Sequence, residues 1–203
     1  DLLAKENLSH QKLKDSLLKA EKHEVKPPKW LTKNTPAKGA PGVPTIFLSD
    51  FHWGEVVYKE AVNGINEYDR TIALRRFKNV INTTIDLCTN HMVNPKYPGI
   101  ICALGGDMIS GDIHDELAES NDGSNIEHVL DLLDNLTWAL GKFADVFGKV
   151  FVPCTFGNHS RTYKQYRHKQ AAKTNYDWML YNLLARHFKN DKRIQFQIPT
   201  GFD

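Results

Sequence analysis

Along most of the chain the apolar positions follow two alternating rhythms. Short, mostly apolar runs at Thr45–Ser49 (TIFLS), Gly99–Leu104 (GIICAL) and Lys149–Thr155 (KVFVPCT) have the length and character of strands buried on both faces. Between them, apolar residues recur every three or four positions. From about Tyr68 to Asn90, the residues Ala73, Phe77, Val80, Ile81, Thr84, Leu87 and Cys88 fall on one side of a helix. A second helix opens at Ser124, which stands three residues before Glu127 as in a capping box. It carries Ile126, Val129, Leu130, Leu133, Leu136, Leu140 and Phe143 inward and stops near Gly148. A third runs from about Asn175 to Phe188, and Ile194–Ile198 reads as a further strand. Strands alternating with helices in this order predict an α/β layered fold with parallel neighbours.

Upstream of this pattern the chain changes character. Residues 1–24 are rich in Leu, Ala, Lys and Glu, with Leu2, Leu13, Leu17 and Ala20 near one helical face and Leu8 off it. They read as a helical leader suited to docking a partner or another domain. Residues 25–44 carry Pro27, Pro28, Pro36, Pro41 and Pro44 among several lysines, which blocks helix and sheet and predicts an extended linker. The domain proper is therefore placed at 45–203. The whole chain of 203 residues, 41% hydrophobic and 25% charged, has the composition of an ordinary globular protein rather than a disordered or fibrous one. Cys88, Cys102 and Cys154 form no CxxC, which argues against a disulfide framework or a structural zinc site and for a reducing compartment. No apolar run approaches the roughly 20 residues needed to cross a bilayer, so the expectation is a soluble, cytoplasmic protein with no membrane partner.

The net charge of +2 conceals a segregation. Between Gly106 and Asp134 stand Asp107, Asp112, Asp115, Glu116, Glu119, Asp122, Glu127, Asp131 and Asp134 with no Lys or Arg; from Arg161 to Lys173 there are five bases and no acid. An acidic stretch suits a cation and a basic one a phosphate, although either is also the ordinary composition of a solvated face.

In α/β sheets, ligands bind beyond the carboxyl ends of the strands. The three central runs end in Ser49-Asp50-Phe51-His52, Gly105-Gly106-Asp107 and Gly157-Asn158-His159. Asp50 and His52, two apart in extended backbone, can close on one ion; Asp107 can bridge two ions, and the Asn158 amide oxygen is a neutral hard ligand. This donor set fits Mn²⁺, Fe or Zn²⁺ rather than a soft metal. Each tripeptide recurs by chance; the three together, in this order and at strand ends, resemble the first three motifs of the calcineurin-like metallophosphoesterases over about residues 45–198. The resemblance implies a sandwich of two β-sheets flanked by helices, with a two-metal site. Asp50 and His52 would hold the first metal, Asp107 would bridge, Asn158 would hold the second, and His159 would protonate the leaving oxygen.

The departures narrow the branch. The second motif continues as Met108-Ile109-Ser110-Gly111 instead of the GDxxDRG of phosphoprotein phosphatases, and the open SDFHWG stretch looks more like the family's DNA-repair nucleases and phage or bacterial stand-alone enzymes. The family often places an acid after GNH, where this chain has Ser160, so the partner that orients His159 must be replaced; Asp112 is one candidate. The later lone His and GHxH of the family are not recognisable before Asp203, and neither His168 nor His187 lies in such a motif. A further C-terminal portion carrying those histidines is therefore expected. His114 reads as a loop histidine, with contact to substrate or metal-bound water as the alternative. Trp53 either packs in the core or stacks on a base, and His10, His23, His91 and His128 receive no role. The segment after the third motif combines Arg161, Lys164, Arg167 and Lys169 with Tyr163 and Tyr166, a pairing of charge and rings that suits single-stranded nucleic acid. The expectation is a phosphodiesterase or nuclease dependent on two divalent ions, Mn²⁺ first. Its rivals are a nucleic-acid-binding or scaffold module with an incomplete metal site, and a small-molecule phosphatase.

Overall fold

The computed structural model describes residues 27–32, 42–92, 96–165 and 171–199; the leader expected over 1–24 and much of the linker lie outside the described residues. A helical turn, α1 (Lys29–Thr32), precedes β1 (Thr45–Leu48). There follow α2 (Arg70–Asp86), prolonged by a π turn over Leu87–His91, then β2 (Ile100–Leu104), the short α3 (Asp115–Ser120) and the long α4 (Asn125–Phe147). The order closes with β3 (Val150–Pro153), α5 (Tyr176–His187) and β4 (Ile194–Gln197). The starts of the long helices are set by side-chain caps. Asp69 accepts from the Ile72 N–H at 2.7 Å, Ser124 and Glu127 cap each other reciprocally, and Asn175 accepts from the Asp177 N–H at 2.8 Å. Gly148, at φ 75°, ends α4 in the left-handed conformation that glycine adopts without strain.

The four strands form one parallel sheet in the order β1-β2-β3-β4, with Thr45 opposite Ile101, Ile100 opposite Val150 and Val150 opposite Ile194. Sequential parallel pairing with right-handed crossovers sets the crossing helices on one face of the sheet. Burial agrees. Ile46, Leu48, Ile100, Cys102, Leu104, Val150 and Val152 join Leu132, Leu136, Leu140 and Phe143 of α4 and Leu180 of α5 in one core. On the other face Phe47 is 66% exposed. The expectation of strands buried on both faces is thus corrected for β1, whose exposure alternates along its length; only β3 is buried on both. Burial pushes the Cys102 thiol up to about 12, so this cysteine is a packing residue at neutral pH.

Four residues expected to face inward are exposed: Val80, Leu87, Ile126 and Leu130. In α4 the buried stripe instead runs through Val129, Leu132, Leu136, Leu140, Phe143 and Phe147. The cause is the side of the helix on which Ile126 and Leu130 fall. Val129, on the same turn, is 1% exposed; at about 100° per residue Ile126 and Leu130 lie well to one side of that stripe and meet water. Trp53 belongs to the core, 1% exposed, with its indole N–H donating to Asp131 at 2.7 Å; it does not stack on a base. Among the described residues no helix is long and apolar enough to cross a membrane.

Candidate functional site

Beyond the carboxyl ends of β1 and β2 the two chains stay side by side. The Asp50 N–H donates to Gly106 O at 3.1 Å, His52 N–H to Asp107 O at 3.2 Å and Trp53 N–H to Met108 O at 3.0 Å; Ser110 N–H returns a bond to Trp53 O at 3.1 Å. To do so, Asp50, His52 and Asp107 adopt left-handed backbone, with φ of 54°, 43° and 49°. Such a conformation costs an L-residue about 1–2 kcal/mol, although Asp, Asn and His tolerate it better than most. Among the described residues the only other non-glycine so placed is Asn63, at the end of a surface turn. Strain in this chain is therefore concentrated on three of the four expected metal ligands.

The third loop, after β3, closes on the second so tightly that two glycines are obligatory. A Cβ on Gly106 would strike the backbone of Gly157, and one on Gly157 would strike the Asp107 carboxylate. The glycines of the GD and GNH motifs are thus explained by backbone approach. Across this seam the His159 N–H donates to Asp107 Oδ1 at 2.7 Å.

A residue with no expected role holds the seam together. Asp177, in the first turn of α5, is fully buried. Its Oδ2 accepts from the N–H groups of Asp107 at 2.9 Å and Gly157 at 3.0 Å. Its Oδ1 accepts from Met108 N–H at 3.1 Å and the Ser160 hydroxyl at 2.6 Å. Asn175 adds a bond from its amide nitrogen to Gly157 O at 2.9 Å. Burial pushes the Asp177 carboxyl up to about 6, against the opposing pull of its hydrogen-bond donors. From the sequence, an acid in the first turn of a helix is adequately explained by the macrodipole; the one further signal is Ser160, a hydroxyl where an acid is usual.

The side chains gather around His159. Its ring lies 4.5 Å from that of His52 between centroids and 5.3 Å from that of His114, so His114 is at the site rather than remote from it. Nδ1 of His159 is 3.2 Å from Ser110 O. A carbonyl only accepts, so Nδ1 carries the hydrogen and Nε2 is the nitrogen left to exchange a proton. This carbonyl, rather than the exposed Asp112, orients the ring. His52 Nδ1 has Glu55 at 3.9 Å, and the Ser49 hydroxyl donates to Asp50. Among the described residues no group of three or more His, Cys, Asp or Glu side chains stands together in the manner of a preformed ion cage. The fit to metal is one of donor chemistry and placement: carboxylates, an imidazole and an amide at the ends of three adjacent strands suit hard or borderline ions. Beside Asp50 and His52 opens a cavity of about 350 Å³, which Arg76, Tyr68 and Glu55 also line; Arg76 is a cation at this site that the sequence did not single out.

Of the four bases expected to hold nucleic acid, Arg167 and Lys169 lie outside the described residues. Arg161 donates from Nε to Asn158 O at 2.9 Å, and Lys164 forms an exposed ion pair with Asp115 of α3. His168 and Tyr166 also lie outside the described residues, and the exposed His187 closes α5 against the Phe188 ring. Comparisons with protein-family profiles, with curated proteins and with solved structures find no match for this chain.

Proposed function

We propose that this chain is a metal-dependent phosphoesterase that hydrolyses phosphodiester bonds. The observation that carries this reading is the left-handed backbone shared by Asp50, His52 and Asp107. Of these, Asp107 and His52 meet the loop of Asn158 and His159, through the His159 N–H bond to the Asp107 carboxylate and the packing of the His52 ring on that of His159. Strain of this kind persists where the surrounding structure over-determines it, as at functional sites. Asp50 and His52 would hold one divalent ion and Asn158 another, with Asp107 between them; Mn²⁺ is the first choice, and Fe or Zn²⁺ also suits the donors. When bound, such a pair supplies Lewis acidity and lowers the pKa of water towards neutrality. His159, with Nδ1 committed to Ser110 O, presents Nε2 as the proton donor to the leaving oxygen. Trp53, Met108 and Ile109, all at most 1% exposed, close the rear of the site to water. The expected two-sheet sandwich goes with this reading: the face that presents Phe47 is the one a second sheet would cover.

Nucleic acid is the substrate class assigned first, from the bases and tyrosines after the third motif. A small diester is the second reading. It is favoured by the Lys164–Asp115 pair, which already occupies one of the four bases.

In the full-length protein with Mn²⁺, bis(p-nitrophenyl) phosphate should be hydrolysed faster than the monoester, and a chelator should stop it. Failure to hydrolyse either with Mn²⁺, Fe²⁺ or Zn²⁺ would leave the scaffold reading. The two substrate readings separate in a salt series on a labelled single strand, with Asp107→Asn as background. Neutralising Lys164, Arg167 and Lys169 should flatten the salt dependence by roughly 0.7 for each phosphate that is no longer neutralised, while an unchanged slope favours the small diester.

A further inference from the structure

We propose that Asp177 is a positioning residue, whose buried carboxylate fixes the distance between the loop of Asp107 and the loop of Asn158 and His159. Three of its donors are backbone N–H groups, two on the first loop (Asp107 and Met108) and one on the second (Gly157). The fourth, Ser160, directly follows His159. The seam it spans has no slack, because Gly106 and Gly157 already meet without room for a Cβ. The carboxylate is matched to the task. Four donors converge on two oxygens, which only an ionised acid can satisfy in full, and the N-terminus of the twelve-residue α5 favours the negative charge. Asn175 secures the clamp from behind, since it caps α5 at Asp177 and grips Gly157 O. Asp107 is thereby held by its main chain from below and by His159 N–H across the seam.

The catalytic consequence rests on the phosphoesterase reading above, whereas the positioning itself does not. In the full-length protein Asp177→Asn presents an amide N–H₂ to at least one donor, and Ser160→Ala removes one bond without adding a clash. For Asp177→Asn the Asp107, Met108 and Gly157 amides should exchange with deuterium at least about tenfold faster, the factor expected when a charge-assisted bond is removed. The amides of Val150 and Val152 should keep wild-type protection. Mn²⁺ affinity, read by calorimetry, should fall by a similar factor, and kcat on a small diester should drop with KM little changed. Ser160→Ala should move the same readouts less. If Asp177→Asn does not fold, Ser160→Ala decides alone. Unchanged exchange at the three amides overturns the proposal. So does protection that falls evenly over seam and strands, the mark of a merely stabilising group. Should the wild-type protein neither bind Mn²⁺ nor hydrolyse diesters, the phosphoesterase reading fails while the exchange result still judges Asp177.

Discussion

Beneath α4 the sheet meets Leu132, Leu136, Leu140 and Phe143, none of them exposed at all; at its carboxyl end it meets loops joined by donors, carboxylates and two glycines. The interior is held by non-directional burial of apolar surface, which depends on volume and tolerates exchange among side chains of similar size. The seam is held by groups with one workable geometry each. There Asp107 accepts across the loops, Asp177 accepts from both, and three residues sit in disfavoured backbone. Burial alone does not separate the two: Asp177 is as fully buried as Leu132, yet the interior sets how stable the protein is and Asp177 sets how the motif loops stand to one another.

The largest effect that would sharpen this contrast is Asp107→Asn. Mn²⁺-dependent diester hydrolysis should fall below detection, while thermal melting followed by circular dichroism stays close to wild type; near-normal turnover would remove the metal-site assignment. In the opposite region Phe143→Ala should cost about 3–5 kcal/mol in urea unfolding, with the folded fraction keeping its Mn²⁺ affinity. A matching loss of affinity would show that the two regions are coupled. Gly157→Ala comes next, at about 1–3 kcal/mol for forced overpacking, and should lower turnover far more than that modest destabilisation explains. The smallest effect is expected from Ser124→Ala, which removes the α4 cap and should cost about 1 kcal/mol with no change in metal binding. A turnover defect in that variant would break the division between scaffold and seam.

The same division explains what could be read from the sequence. The strands, the Ser124–Glu127 cap, the Gly148 stop and the start of a helix near Asn175 depend on residues close together in the chain, where periodicity and capping chemistry speak directly. The three motifs were legible because each follows its strand at once. Asp177 was not, since its meaning lies in its bonds to Asp107 and Met108, some seventy residues away. Nor was the role of Ser110, which orients His159 through its carbonyl and so leaves no trace in residue type. Ile126 and Leu130 misled for a geometric reason: apolar residues line two neighbouring sides of α4, and only the side of Val129, Leu132 and Leu136 is covered. His128, to which no role was given, is fully buried and packs where any side chain at Gly54 would have to stand, a close approach that spacing alone does not announce.

The strand order has a temporal side. Because each strand pairs with the next one in the chain, the sheet can grow in the direction of synthesis, one crossover at a time, as local connections favour. The motif loops of β1, β2 and β3 would all have emerged before Asp177. Until α5 follows, the loops after β2 and β3 have their direct bond from His159 N–H to Asp107 but lack the buried carboxylate that accepts from both of them. A nascent chain could therefore pair its first three strands before the first turn of α5 joins the loops at their ends, with β4 added last.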